Sequence, residues 1–269
     1  MRPFGGAAGW LAIVALAAAQ GCASYQPRRH PDFTARHPLI KTVAILPPDI
    51  LAQRLTFKGD REVLYELREP LQREVMEELA AVLPKRGFTV KALDVSEPVL
   101  QEQPALRQSL HIVGEVFNKR LSEYRKHRLS PFAYSIGSEI NVFADYAQSD
   151  VLIFVQAEGT RKTGGEVAKD WAKTVLLAAA TLGSVVVVFS PSITVIQLAV
   201  LDGATGDLLW YTNNAGDIEF DISKPKAFRR RIRNMISRFP KAGSITPTRR
   251  DADRPPPEPP DVPPAPAAP

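Results

Sequence analysis

The 269 residues predict an α/β fold: a mixed sheet in a three-layer-like arrangement, flanked by helices, with a β-α-β unit at its start and an antiparallel hairpin near its end. Three observations predict it. Two short β-rich runs, Thr42 to Leu46 and Phe88 to Leu93, bracket a stretch of helical periodicity, the order of a right-handed crossover. Val151 to Ala157 is apolar except for one glutamine, which suits a central strand covered on both faces. Ile193 to Leu201 and Leu208 to Thr212 are joined by Asp202-Gly-Ala-Thr-Gly-Asp207, a hairpin signature in which the two aspartates form the turn and are not an acid-base pair.

In chain order, Arg2 is followed by an uncharged run of 13 residues, Ala7 to Ala19. As a helix it spans ~20 Å, short of a hydrocarbon core of about 30 Å, so it reads as a signal peptide over residues 1–21. The run stops at Gly21 and Cys22, and Cys22 is the one cysteine of the chain. Residues 22–40 follow, with three prolines and no apolar period between Ala23 and Leu39, and read as an extended tether. His30 and His37 lie seven apart in it, without the Cys or carboxylate neighbours of a metal site.

The α/β domain is expected over residues 41–240. Its first strand, Thr42 to Leu46, is ended by Pro47 and Pro48. Asp60 to Leu83 carries Leu64, Leu67, Leu71, Val75, Leu79 and Val82 at helical spacing. Pro70 within it either kinks one helix or opens a second in its first turn, and Gly87 is a terminator. Pro104 to Arg125 is a helix with Leu106, Leu110, Val113, Phe117 and Leu121 on one stripe and His111 beside it. Ser122 to Ser130 reads as a polar loop or helix end, and Ile136 to Ala147 as a short helix. Gly159 to Gly165 reads as a loop, and it lacks the Gly-Lys-Ser/Thr ending of a phosphate loop.

From Thr174 to Leu201 the chain has 28 residues without a charge. Gly183-Ser184 and Ser190-Pro191-Ser192 divide them, so an apolar insertion fits better than a membrane span. Core, docking surface and membrane contact stay open for it. Ser223 and Pro225 open a last helix. Phe228, Ile232, Ile236 and Phe239 form its apolar face. Arg229, Arg230, Arg231, Arg233 and Arg238 cover the rest, a candidate basic face for anionic headgroups or a polyanion. Residues 241–269 form a tail in which Pro255 to Pro269 has nine prolines in 15 residues, a composition that stays disordered or polyproline-like.

Net charge is +5, too mild to indicate nucleic acid. The lone cysteine excludes an intrachain disulfide. The four histidines show neither Ser-His-Asp nor metal-ligand spacing, so the expectation is a protein that is not an enzyme and takes no cofactor and no metal.

Ala19-Gln-Gly-Cys22 resembles the lipobox of bacterial lipoprotein precursors. That resemblance implies cleavage between Gly21 and Cys22, a lipid on Cys22 and, with Ala23 in place of Asp, sorting to the outer membrane facing the periplasm. The strand-helix order, Val43-Ala-Ile-Leu-Pro-Pro48, Ser149-Asp-Val-Leu-Ile-Phe154 and Leu201-Asp-Gly-Ala-Thr-Gly-Asp-Leu-Leu-Trp210 are similar to the periplasmic α/β lipoprotein group that includes CsgG, PelC and the TolB amino-terminal domain. The resemblance implies an envelope or secretion assembly part that works by protein contact. Two alternatives stand beside it: a module binding an envelope polymer or anionic lipid through the arginine helix, and a ring-forming channel component, which requires a homo-oligomer. CsgG builds its pore from alternating strand pairs; Val167 to Val188 lacks that alternation.

Overall fold

Val151–Lys162 (β6) is the axis of the structure, because its side chains enter two separate cores. The computed structural model describes residues 26–56, 60–126, 131–162, 192–214, 218 and 220–246. Val151, Ile153 and Val155 enter one core, and Leu152 and Phe154 enter the other, as the two-residue period of a strand requires. Along one edge β6 pairs in parallel with Thr42–Ile45 (β2) and then with Asp49–Leu55 (β3), which forms an antiparallel hairpin with Arg61–Val63 (β4). Thr89–Lys91 (β5) lies parallel beyond β2. Along the other edge run Ser192–Asp202 (β7), Leu208–Asn213 (β8) and the short Arg28–Arg29 (β1), each antiparallel to its neighbour. The predicted α/β class holds: the described residues form an open, mixed sheet of eight strands flanked by helices.

One helical layer holds Phe33–Arg36 (α1), Arg68–Val82 (α2) and Pro225–Ile236 (α6). Phe33, Leu71, Val75, Leu79, Phe228, Ile232 and Ile236 meet Val43, Ile45, Ile196, Leu198 and Val200 of the sheet there. Glu97–Glu102 (α3), Pro104–Lys126 (α4) and Asn141–Ala147 (α5) lie on the opposite side. Val113, Phe117, Leu121 and Phe143 of α4 and α5 pack on Ala44, Leu152, Ala199 and Leu208.

Several expectations need correction. The first strand does stop at Ile45, ahead of Pro47 and Pro48, but the chain returns to β6 directly after them as β3. Ile45 faces Ile153 and Asp49 faces Gln156, so four steps match three and one extra residue is absorbed as a bulge. Two prolines without N–H donors fit where the ladder is interrupted. Asp60 does not start a helix: β4 and a 3-10 turn at Tyr65–Leu67 precede α2, whose first turn holds Pro70. Residues 159–162 continue β6. Ser223 does not cap α6. Its hydroxyl donates to Asp221 Oδ1 at 2.6 Å, and Pro225 sits in the first turn instead.

The extended tether is also corrected where the structure describes it. β1 pairs with β8, and Phe33, His37 and Ile40 are buried. At the other end Ala242 and Ile245 pack on the core, so residues 241–246 belong to the folded body. Gly21, Cys22 and the signal run, residues 163–191 of the insertion, and residues 247–269 of the tail lie outside the described residues. No described helix is long and apolar enough to cross a membrane.

Candidate functional site

Three surface features follow from this arrangement. The first is α6, whose charges are largely committed within the fold. α2 and α6 pack side by side, and α2 presents Glu74, Glu77 and Glu78 toward the arginines. Arg233 binds Glu78, and Arg229 binds Glu74 and lies 3.3 Å from Glu77. Arg231 lies over the Phe220 ring, 5.5 Å from its centroid, a cation-π geometry. Arg230 and Arg238 are exposed. Of the five arginines, Arg229 and Arg233 are thus paired with carboxylates across the α2–α6 interface. Acidic residues at Glu74, Glu77 and Glu78, spaced i, i+3 and i+4, were the sequence signal for this pairing.

The second feature is an open crevice of 470 Å³ at the carboxyl end of β2. The connection from β2 to β5 carries α2 over one face of the sheet, while the connection from β5 to β6 carries α3, α4 and α5 over the other. The helices diverge where the connections part, which is where open α/β sheets leave a binding crevice. Its floor is Pro47, Pro48 and Phe154; Gln72 of α2 and His111, Glu115 and Asn118 of α4 form its walls. Gln72 Nε2 donates to Pro48 O at 2.7 Å and fixes the bulge against α2. At its rim Arg107 pairs with Glu97 at 2.6 Å. His111 is exposed. It lies beside the apolar stripe of α4, which is visible in the sequence; the crevice depends on the bulge and on two crossovers, and neither is a local pattern.

The third is the end of the sheet beyond α4. From the crevice a row of side-chain hydrogen bonds crosses four strands. Gln156 donates to Asp49 Oδ2 at 2.9 Å, Gln197 to Gln156 Oε1 at 3.0 Å, and the Tyr211 hydroxyl to Gln197 Oε1 at 2.9 Å. Past this row the same face exposes Leu51 of β3 and Ile193 and Val195 of β7.

The remaining candidates are structural. Arg36 donates through Nη1 to Asp207 Oδ2 at 2.7 Å and to Asp202 Oδ2 at 3.3 Å. The two turn aspartates, with Asp202 Oδ1 also accepting the Ala204 and Thr205 amides, thus hold the amino-terminal segment. Asp150 accepts the Lys41 and Thr42 amides, each at 2.8 Å. Burial works to raise its pKa, and these hydrogen bonds outweigh it and hold the carboxyl below its usual value. His37 is fully buried among Phe33, Phe88 and Phe239, and burial lowers its pKa from 6.5. His30 is lowered too, again chiefly by burial.

No family model, no curated protein and no solved structure matches the chain.

Proposed function

We propose that this is a lipoprotein anchored through Cys22 in the outer membrane and facing the periplasm, without catalytic activity, which works by binding another protein of an envelope or secretion assembly. The crevice between α2 and α4 is the observation that supports protein contact. It is open, built on regular secondary structure, and ringed by side chains of both charges around a small apolar floor. Such a surface suits a polar segment of a partner protein better than an enclosed small-molecule site does. The arginine-helix alternative loses support because carboxylates of α2 already neutralise Arg229 and Arg233.

The test is site-specific photo-cross-linking in cells, with the reactive residue at His111 or Asn118 and at Tyr146 as the reference. The expected result is one discrete adduct from the crevice positions, absent from Tyr146 and lost when Arg68→Glu reverses the charge of Arg68, which also lines the crevice. Adducts of the same pattern from all three positions, or none from the crevice, would count against the reading.

A further inference from the structure

The register of the sheet sets where the amino-terminal anchor leads. Arg28 faces Tyr211, Tyr211 faces Ala199 and Ala199 faces Phe154; one step on, Arg29 lies level with Ile153. The chain therefore enters β1 from the end of the sheet at which β6 finishes. Cys22 precedes Arg28 by six residues, a reach of at most ~20 Å. Six residues of β6, from Phe154 to Thr160, also cover ~20 Å. A bilayer that holds Cys22 is thus within reach of that end, and α5 with the start of β6 lies on the far side.

That end carries an unusual surface. Leu51, Ile193 and Val195 are 36%, 43% and 38% exposed. Register places them together: Leu51 and Val195 flank Glu158 on either side, and Ile193 faces Thr160 on the next rung of the same face. Nearer the start of β6, α4 and α5 cover this face. Ile193 and Val195 also belong to the uncharged run from Thr174 to Leu201.

We infer that Leu51, Val195 and Ile193 rest on the phospholipid surface that holds Cys22, so that the body lies against the membrane with the β6 end down. The inference depends on the proposed lipid anchor. Three apolar side chains on a rigid sheet suit contact at the headgroup–acyl boundary. Glu158 between them keeps the contact shallow and favours zwitterionic over anionic headgroups. Arg54 and Arg161 nearby are paired with Glu62 and Asp221 and add no strong basic field.

The test uses the full, acylated protein in phosphatidylcholine vesicles. Acylation blocks the Cys22 sulfur, so a new thiol from Val195→Cys or Leu51→Cys alone takes an environment-sensitive nitrobenzoxadiazole label. Tyr146→Cys, at the opposite end of the sheet, is the reference. The expected result is a blue-shifted emission and several-fold stronger quenching by spin-labelled lipid at positions 195 and 51 than at 146. Equal quenching at all three positions, with the protein still floating with the vesicles, overturns the contact and leaves the anchor standing. Loss of flotation with a reactive Cys22 overturns the anchor and the contact with it.

Discussion

Arg233 grips Glu78 through two hydrogen bonds, Nε to Oε1 at 2.6 Å and Nη2 to Oε2 at 3.0 Å, and so ties α6 to α2. The pair is asymmetric: the Glu78 side chain is 3% exposed and that of Arg233 is 59% exposed. Loss of the arginine leaves a buried carboxylate without its cation, whereas loss of the carboxylate leaves an arginine that water can solvate. Arg233→Met is therefore expected to lower the chemical-unfolding midpoint more than Glu78→Met, and the double variant to recover part of the loss. Equal effects of the two single changes would contradict this account.

Phe33 makes the amino-terminal segment part of the core. It is 1% exposed and packs edge-on against Phe239 with ring centroids 6.2 Å apart. Phe33→Ala is expected to cost about 3–5 kcal/mol of unfolding free energy, the usual range for removing a buried phenyl ring. A free tether would show almost no change, which equilibrium denaturation can distinguish.

His37 makes stability depend on pH. Its pKa in the folded state lies below 6.5 because burial disfavours the imidazolium, and nearby Arg29 acts in the same direction against the Pro240 carbonyl. A lowered histidine means that the unfolded chain binds the proton first as the pH falls. Its contribution is complete above pH 6.5 and is lost as the pH falls from there through the lowered value. His30 adds in the same sense. His37→Phe should reduce the fall in urea midpoint between neutral and mildly acidic buffer; an unchanged fall would remove His37 as a source.

Gly159 lets Ile222 cross β6. A Cβ at position 159 would stand 2.6 Å from both Cβ and Cγ2 of Ile222. Gly159→Ala should cost about 1–3 kcal/mol, as overpacking does. Ile222→Ala in the same chain should shrink the added cost of the alanine, measured by a double-mutant cycle.

These residues also show where the sequence could be read and where it could not. β6, β7 and β8 were legible because apolar side chains on both sheet faces leave long β-rich runs. α4 and α6 were legible because Val113, Phe117 and Leu121, and Phe228, Ile232 and Ile236, repeat at helical spacing. β3 was missed: Pro47 and Pro48 before it read as a stop, and only Ile50 and Ala52 of its seven residues are buried. Its identity comes from pairing with β6, and no local pattern encodes that partner. The segment before Thr42 misled for the same reason. Prolines and arginines dominate its composition, while its docking depends on Phe33 and His37 meeting Phe88 and Phe239. The arginines of α6 were visible one by one. Their use was not, because it required setting them against the carboxylates of α2.

The central claim is that the mature chain begins at Cys22 and carries lipid there. Its most direct test is the intact mass of the protein extracted from cell membranes, together with the mass of its amino-terminal peptide. The account predicts a chain that starts at Cys22 with added diacylglycerol and acyl mass. A chain that still starts at Met1, or one that starts after residue 21 with an unmodified thiol, would contradict it.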